Sequence, residues 1–297
     1  MSKGIIQAEE KLLSAIKRGR IPHACFISCP DGLIAEGIAR RAAALYCTGV
    51  ADASMLSRTG NCVIPSGYRK AAIREEVIEE LGRSSFSGGK RSVLLLNAHE
   101  IDLATQNILL KTIEEPPDGV LFLLTGNEGG ILPTILSRCA TVLCGLPSFD
   151  DAARELVSLG LTADDAARFA KMGTTVQRAL RLYQDEEYRA LRHTAQDVMA
   201  ALLKGELPFD RLSAVASIDG AHFMLSYARD LLMYVTLGRI EHNADRAEEI
   251  AALAPRFTTG RINCIIESLA NAMDRLNTNA PAAGAFTRLF TEITEEL

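Results

Sequence analysis

The chain has 297 residues, 48% of them hydrophobic and 23% charged, with no tryptophan and a formal net charge of −5. That length is too great for one small core and predicts two or three domains, while the acidic surplus excludes a tight, autonomous duplex-DNA binder, so that any nucleic-acid contact is local or shared with partners. There is no run of about 18 apolar residues to span a membrane, Met1-Ser2-Lys3-Gly4 leads into Glu9-Glu10-Lys11 without a signal-peptide core, and seven scattered cysteines predict reduced thiols in a cytoplasm rather than a disulfide framework.

Residues 7–18 read as an amphipathic helix, and His23 to Cys29 as a short buried strand. Pro30-Asp31-Gly32 marks a turn, and residues 34–46 return to helix, which together open a βαβ unit. Residues 48–60 are small and polar, a loop, before a second strand at Cys62-Val63-Ile64. Helical periodicity over 70–82 puts Ile73, Val77, Ile78 and Leu81 on one side. Ser92 to Leu96 is apolar enough for a central strand. A helix over 103–114 stops at Pro116-Pro117. Val120 to Thr125 is a further buried strand, 131–137 a short helix, and Thr141 to Cys144 a final strand. Five buried strands alternating with helices predict a parallel sheet covered on both faces. From Ser148 onward the pattern is all helix, broken near Tyr183 to Tyr188 and at Lys204-Gly205, with a helix start at Gly173-Thr174-Thr175 and an apolar stripe of Leu269, Met273 and Leu276. The fold class is therefore α/β followed by all-α.

The turn after the first strand stands where a phosphate-binding loop, Gly-x-x-x-x-Gly-Lys-Ser/Thr, belongs in such a fold. Here Cys29 and Ile34 take the glycine positions, Ala35 the lysine position and Glu36 the hydroxyl position. Ile34 carries a Cβ where glycine freedom is wanted, Ala35 brings no charge, and Glu36, with Asp31 nearby, repels phosphate. An apolar strand ending in two acids would hold magnesium and activate water, but Leu94-Leu95-Leu96 ends in Asn97-Ala98. Taken alone, residues 29–36 also fit an ordinary strand-to-helix turn that never held a nucleotide.

The stretch Glu100 to Pro117, with Leu110-Lys111-Thr112-Ile113-Glu114-Glu115-Pro116-Pro117 at its end, closely resembles bacterial clamp-loader subunits of the AAA+ class. The match runs on through Leu123-Leu124-Thr125-Gly126-Asn127 to Leu132-Pro133-Thr134-Ile135-Leu136-Ser137-Arg138-Cys139. Ile21-Pro22-His23-Ala24 and Ser87-Gly88-Gly89-Lys90 fit it too, and Asn277-Thr278-Asn279-Ala280-Pro281 fits more weakly. The resemblance is strong over roughly residues 20–145. With its phosphate loop lost and its Ser-Arg-Cys kept, the chain is similar to the delta-prime type rather than to the ATP-hydrolysing tau/gamma type.

This resemblance implies an AAA+ five-stranded α/β domain over 1–146, a helical lid over 147–186 and a helical collar over 187–297. It implies a hetero-pentameric ring with tau/gamma and delta types within the DNA polymerase III holoenzyme, which uses ATP to place a sliding clamp on primed DNA. Arg138 is then an arginine finger acting in trans on a neighbour's γ-phosphate, with Ser137 and Cys139 positioning it. No ATP is expected on this chain, ATP and magnesium being held by neighbouring subunits. The family's zinc module wants four ligands, and the corresponding region holds only Cys47 and Cys62, so no zinc is expected. Without nucleotide, Thr125 and Asn127 are expected to be structural, Arg178 a surface or salt-bridge residue, and His99 a hydrogen-bonded side chain. Two rivals stand beside this reading: an active tau/gamma-like ATPase with an aberrant phosphate loop, and a scaffold whose Arg138 does no catalysis.

Overall fold

Branched and aromatic runs without polar alternation become the middle of a sheet, because only a strand covered on both faces tolerates them. In the computed structural model, which describes residues 3–83, 89–277 and 280–296, these runs form β1 (Ala24–Ser28), β3 (Arg91–Leu95) and β4 (Val120–Gly126), joined by β2 (Cys62–Val63) and β5 (Ala140–Leu143). All pairs are parallel, in the order β2-β3-β4-β1-β5. This is the five-stranded α/β architecture that the AAA+ resemblance implies. Ser87, Gly88, Thr278 and Asn279 of the matched motifs lie outside the described residues.

The strands are not all buried, contrary to the expectation. β1, β3 and β4 lie in the core, but β2 and β5 are edges, and Leu143 at the end of β5 is 70% exposed. Edge position, which periodicity does not report, explains the difference. On one face, Phe26, Val93, Leu95, Phe122 and Leu124 pack against Ile73, Val77, Leu81, Leu109 and Ile113 from the flanking helices. On the other lies α2 (Gly32–Thr48), with Ile34, Ile38, Ala39, Ala42 and Ala43 buried. The 70–82 helix is present, but its middle, Ile73–Glu79, is wound as a π-helix. α1 (Lys3–Lys17) begins before the expected residue 7.

Contacts divide the chain into two compact units, one of Met1–Ala152 with Thr175–Gln177, the other of Ala153–Thr174 with Arg178–Leu297. The second unit is helical as expected, with long helices at Glu186–Leu203, Ile218–Leu237, Thr259–Asn277 and Ala282–Glu295. Leu269 of the expected stripe is fully buried beside Ile262 and Ile265 of its own helix, whereas Met273 and Leu276 are half-buried. A polar network is buried within this unit. Arg192, 1% exposed, donates from both terminal nitrogens to Asp245 at 2.7 and 2.8 Å, and Gln196 donates to Asn243 at 2.7 Å. A buried guanidinium is tolerable only when so paired.

Candidate functional site: a sealed phosphate turn and an exposed arginine

In a parallel α/β sheet, ligands gather beyond the carboxyl ends of the strands, where helix N-termini offer unpaired N–H groups. β1 delivers the chain to such a point at Cys29-Pro30-Asp31, and α2 starts at Gly32. Asp31 caps that helix from a fully buried position. One carboxylate oxygen accepts from Leu33 N at 3.2 Å and Ile34 N at 3.4 Å, and the other accepts from Val176 N at 2.5 Å. The chain's own carboxylate thus holds the anion seat of the helix. Burial pushes its pKa up, opposed by the backbone N–H groups of Val176, Ile34, Leu33 and Gln177. The space is closed as well: a Cβ on Gly32 would lie 2.5 Å from Oε1 of Gln177.

The positions that would complete a nucleotide site are turned to structural use. Asn97, in the left-handed region at φ 52°, donates its N–H to Thr125 Oγ1 at 2.9 Å, joining the ends of β3 and β4. The Asn127 side chain accepts from Gly129 N at 3.1 Å. His99 Nδ1 accepts from Asn127 N at 3.3 Å, and burial holds that imidazole below its ordinary pKa. A side chain at Gly126 (φ 146°) would lie 2.6 Å from that Nδ1, so the loop packs there because residue 126 has none. Glu36 pairs with Arg40 at 2.6 Å. In the second unit, Arg178 Nε lies 3.3 Å from Asp219, an ion pair of the kind expected for it.

Arg138 is presented differently. The loop before it is clamped by Gln106, 1% exposed, whose amide donates to Ile101 O and Gly130 O, both at 2.8 Å, and accepts from Leu132 N at 2.8 Å. Pro133 opens a single helical turn, Pro133–Leu136, held down by buried Ile135, and Ser137 caps it. Arg138 N then bonds Ile135 O at 3.0 Å and Cys139 N bonds Leu136 O at 3.1 Å, so the guanidinium leaves a rigid turn just before β5. It is 36% exposed. Nη1 donates to Thr134 O at 2.7 Å and to Ser137 Oγ at 3.4 Å, and Nη2 forms an ion pair with Glu114 at the end of the Leu103–Glu114 helix. Cys139 packs on the sheet core, and burial pushes its thiol up to about 11, which leaves no thiolate for nucleophilic chemistry. The structure therefore brings Ser137 and Arg138 together and adds Glu114 and Gln106, both inside the matched motif; in sequence the Glu114-Glu115 pair reads as a solvated helix end, and Gln106 carries no signal of its own.

Cys47 and Cys62 both hydrogen-bond Ser92, Cys47 at 3.3 Å, rather than converging with further donors. Among the described residues no group of three or more His, Cys, Asp or Glu side chains could hold a metal ion, and no helix is long and apolar enough to cross a membrane.

Known proteins match parts of the chain. The family model "DNA polymerase III, delta subunit" matches residues 65–145. DNA polymerase III subunit delta' of Pseudomonas aeruginosa is 44% identical over 61 residues, 20% of this chain and 19% of that one. The delta' subunit of Escherichia coli K12 is 26% identical over 215 residues, 69% of this chain and 63% of that one, so the matched parts span less than two thirds of either relative. A solved DNA polymerase III gamma subunit-related protein of Thermotoga maritima aligns over 97% of this chain and 99% of its own at 16% identity, with a TM-score of 0.42. Over these stretches the chain is similar to DNA polymerase III delta' subunits.

Proposed function

We propose that this chain is a catalytically silent subunit of a clamp loader, lending Arg138 to the ATP of a neighbouring subunit while the assembled complex places a sliding clamp on primed DNA. The observation that carries the reading is the contrast within one sheet. The helix N-terminus that would take phosphate is filled by the buried Asp31 carboxylate, whereas Arg138 stands half-exposed on a rigid turn. During phosphoryl transfer, charge builds on the γ-phosphate oxygens, and a planar cation held there stabilises it, an effect of about 10³–10⁵ in rate where such fingers are well characterised. Ser137 and Cys139 fix the turn that aims it. ATP and magnesium belong to the neighbour, and neither nucleotide nor zinc to this chain.

The partners follow from the family resemblance: tau/gamma-type and delta-type subunits in a hetero-pentameric ring within the polymerase holoenzyme, in the cytoplasm. The division into an α/β domain over 1–146, a lid over 147–186 and a collar over 187–297 belongs to the same proposal.

The test is ATP turnover of the reconstituted loader, with clamp and primed DNA, comparing the wild-type chain with Arg138→Ala. Assembly of both is checked by gel filtration. A loss of about 10³-fold in an intact complex is expected. Unchanged turnover would leave the chain a scaffold, and tight nucleotide binding by the isolated chain would instead favour a tau/gamma-like ATPase.

A further inference from the structure

Beyond the last paired residues of β1 and β5, Ser28 and Leu143, the two strands run on as Cys29 and Cys144. The ladder does not stop at the pair above them, because Cys144 N donates to Ser28 O at 2.9 Å. Residues level with each other in adjacent parallel strands share a face and lie about 4.8 Å apart, inside the Cα separation of about 4.4–6.8 Å that a disulfide spans. Both residues are 8% exposed, close to the surface without being open to it. The two thiols are close enough to shift each other's titration in opposite directions.

The chain's other cysteines are not arranged this way. Cys25 is level with Ala140 rather than with a cysteine. Cys139 precedes β5 and packs on the cluster that holds Phe26, close enough to Cys25 to raise its pKa but not level with it on a paired strand. Cys47 and Cys62 both turn to Ser92, and Cys264 is exposed and remote in sequence from any other cysteine.

We infer that Cys29 and Cys144 are a thiol pair built to close into a reversible disulfide when the protein meets a hydroperoxide. Cys144 is the attacking thiol and Cys29 the resolving one. The neighbouring Cys29 thiol holds the Cys144 thiol below its ordinary pKa, against burial and Glu9, while every other cysteine of the chain is held above its own. The Cys144 thiolate attacks one peroxide oxygen, the O–O bond breaks, and the departing hydroxide takes up the Cys144 proton as water. The Cys29 sulfur then attacks the sulfenic sulfur, the S–S bond forms, the S–O bond breaks, and a second water leaves with the Cys29 proton. Two thiols lose two electrons and the hydroperoxide gains them. The bond would join the exit of β1, one residue before Pro30-Asp31, to the exit of β5, and so brace the turn that Asp31 seals. The inference does not rest on the trans role of Arg138.

The experiment takes the full chain with Cys264→Ser, to remove the exposed competitor, through reduction, hydrogen peroxide, alkylation of the remaining thiols and trypsin. Residues 21–40 and 139–154 are the relevant peptides, and each carries two cysteines, so fragment ions must place the bond. A Cys29–Cys144 link in most chains is expected, reversed by dithiothreitol, with a rise of several degrees in Tm on oxidation. Adding Cys29→Ala should instead leave a sulfenic acid at Cys144 that dimedone traps. Unlinked peptides, or a link through Cys25 or Cys139, would overturn the inference, and this readout needs neither Cys29 nor Cys144 to be mutated.

Discussion

Two turns of the first unit share one sheet and have opposite fates. After β1, the turn at residues 29–36 faces inward and is saturated: its carboxylate has backbone N–H partners on both oxygens and no exposed surface. Before β5, the turn at residues 133–139 is just as rigid but ends in a charged group that water reaches. Rigidity alone therefore says nothing about activity. What separates the two is whether the polar group has finished its bonding inside the chain. Asp31 has, whereas Arg138 leans on partners that a phosphate could replace.

The sharpest way to break this comparison is to cross the two substitutions. Arg138→Ala is expected to lower loader turnover by about 10³-fold. It should leave the urea midpoint of the isolated chain almost unmoved, because an exposed ion pair contributes about 1 kcal/mol at most. Asp31→Ala should do the reverse. It strips the cap from α2 and leaves buried N–H groups unmet, at a cost of about 2 kcal/mol read from urea unfolding, with loader turnover kept once the complex is assembled. If Asp31→Ala were stable and bound pyrophosphate weakly or not at all, the seal would have no role as an anion mimic.

The second unit offers a pH test that neither turn should influence. Burial, and then the nearby Arg178 and Arg229, depress His222 from 6.5 to about 4, with Asp219 opposing. A histidine depressed on folding binds more protons in the unfolded chain, so its contribution is complete above about pH 7 and is lost as pH falls toward 4. Full expression of the shift is worth about 3 kcal/mol, and partial solvent access reduces that. Urea unfolding between pH 7.5 and 5 should show falling stability, and His222→Gln should flatten the curve without altering loader turnover at pH 7.5.

Much of this was legible from residues alone, and the gaps have physical causes. Uninterrupted apolar runs such as Val120 to Leu124 can be little else than central strands, and the sheet has them there. β5 misled because an edge strand in a parallel sheet carries the same branched residues as an interior one, and only its pairing shows that one side is open. That residues 29–36 lack the second glycine, the lysine and the hydroxyl of a phosphate loop could be read from Ile34, Ala35 and Glu36. Asp31 could not: on paper it repels a phosphate, and in space it substitutes for one, a difference that depends on Val176, 145 residues away in sequence. The same holds for Glu114. Beside two prolines it reads as a solvated helix end, and nothing local tells that a side chain 24 residues on will fold back to it.

That ion pair yields the smallest predicted effect and the finest test of the contrast. On the proposed role, the Glu114 carboxylate sits on the guanidinium where a γ-phosphate would dock, so binding of a neighbour's ATP would displace it. Glu114→Gln keeps the shape and removes the charge. On the proposed role, the apparent KM for ATP of the assembled loader should fall by about 2- to 5-fold, the range set by an exposed pair of up to about 1 kcal/mol. The kcat should hold, because Arg138 still reaches the same transition state. The difference from wild type should shrink as salt is raised, since screening already weakens a pair so exposed. A fall in kcat instead would mean that Glu114 aims the arginine rather than shields it, and a KM that ignores both charge and salt would mean that Arg138 meets no phosphate at all.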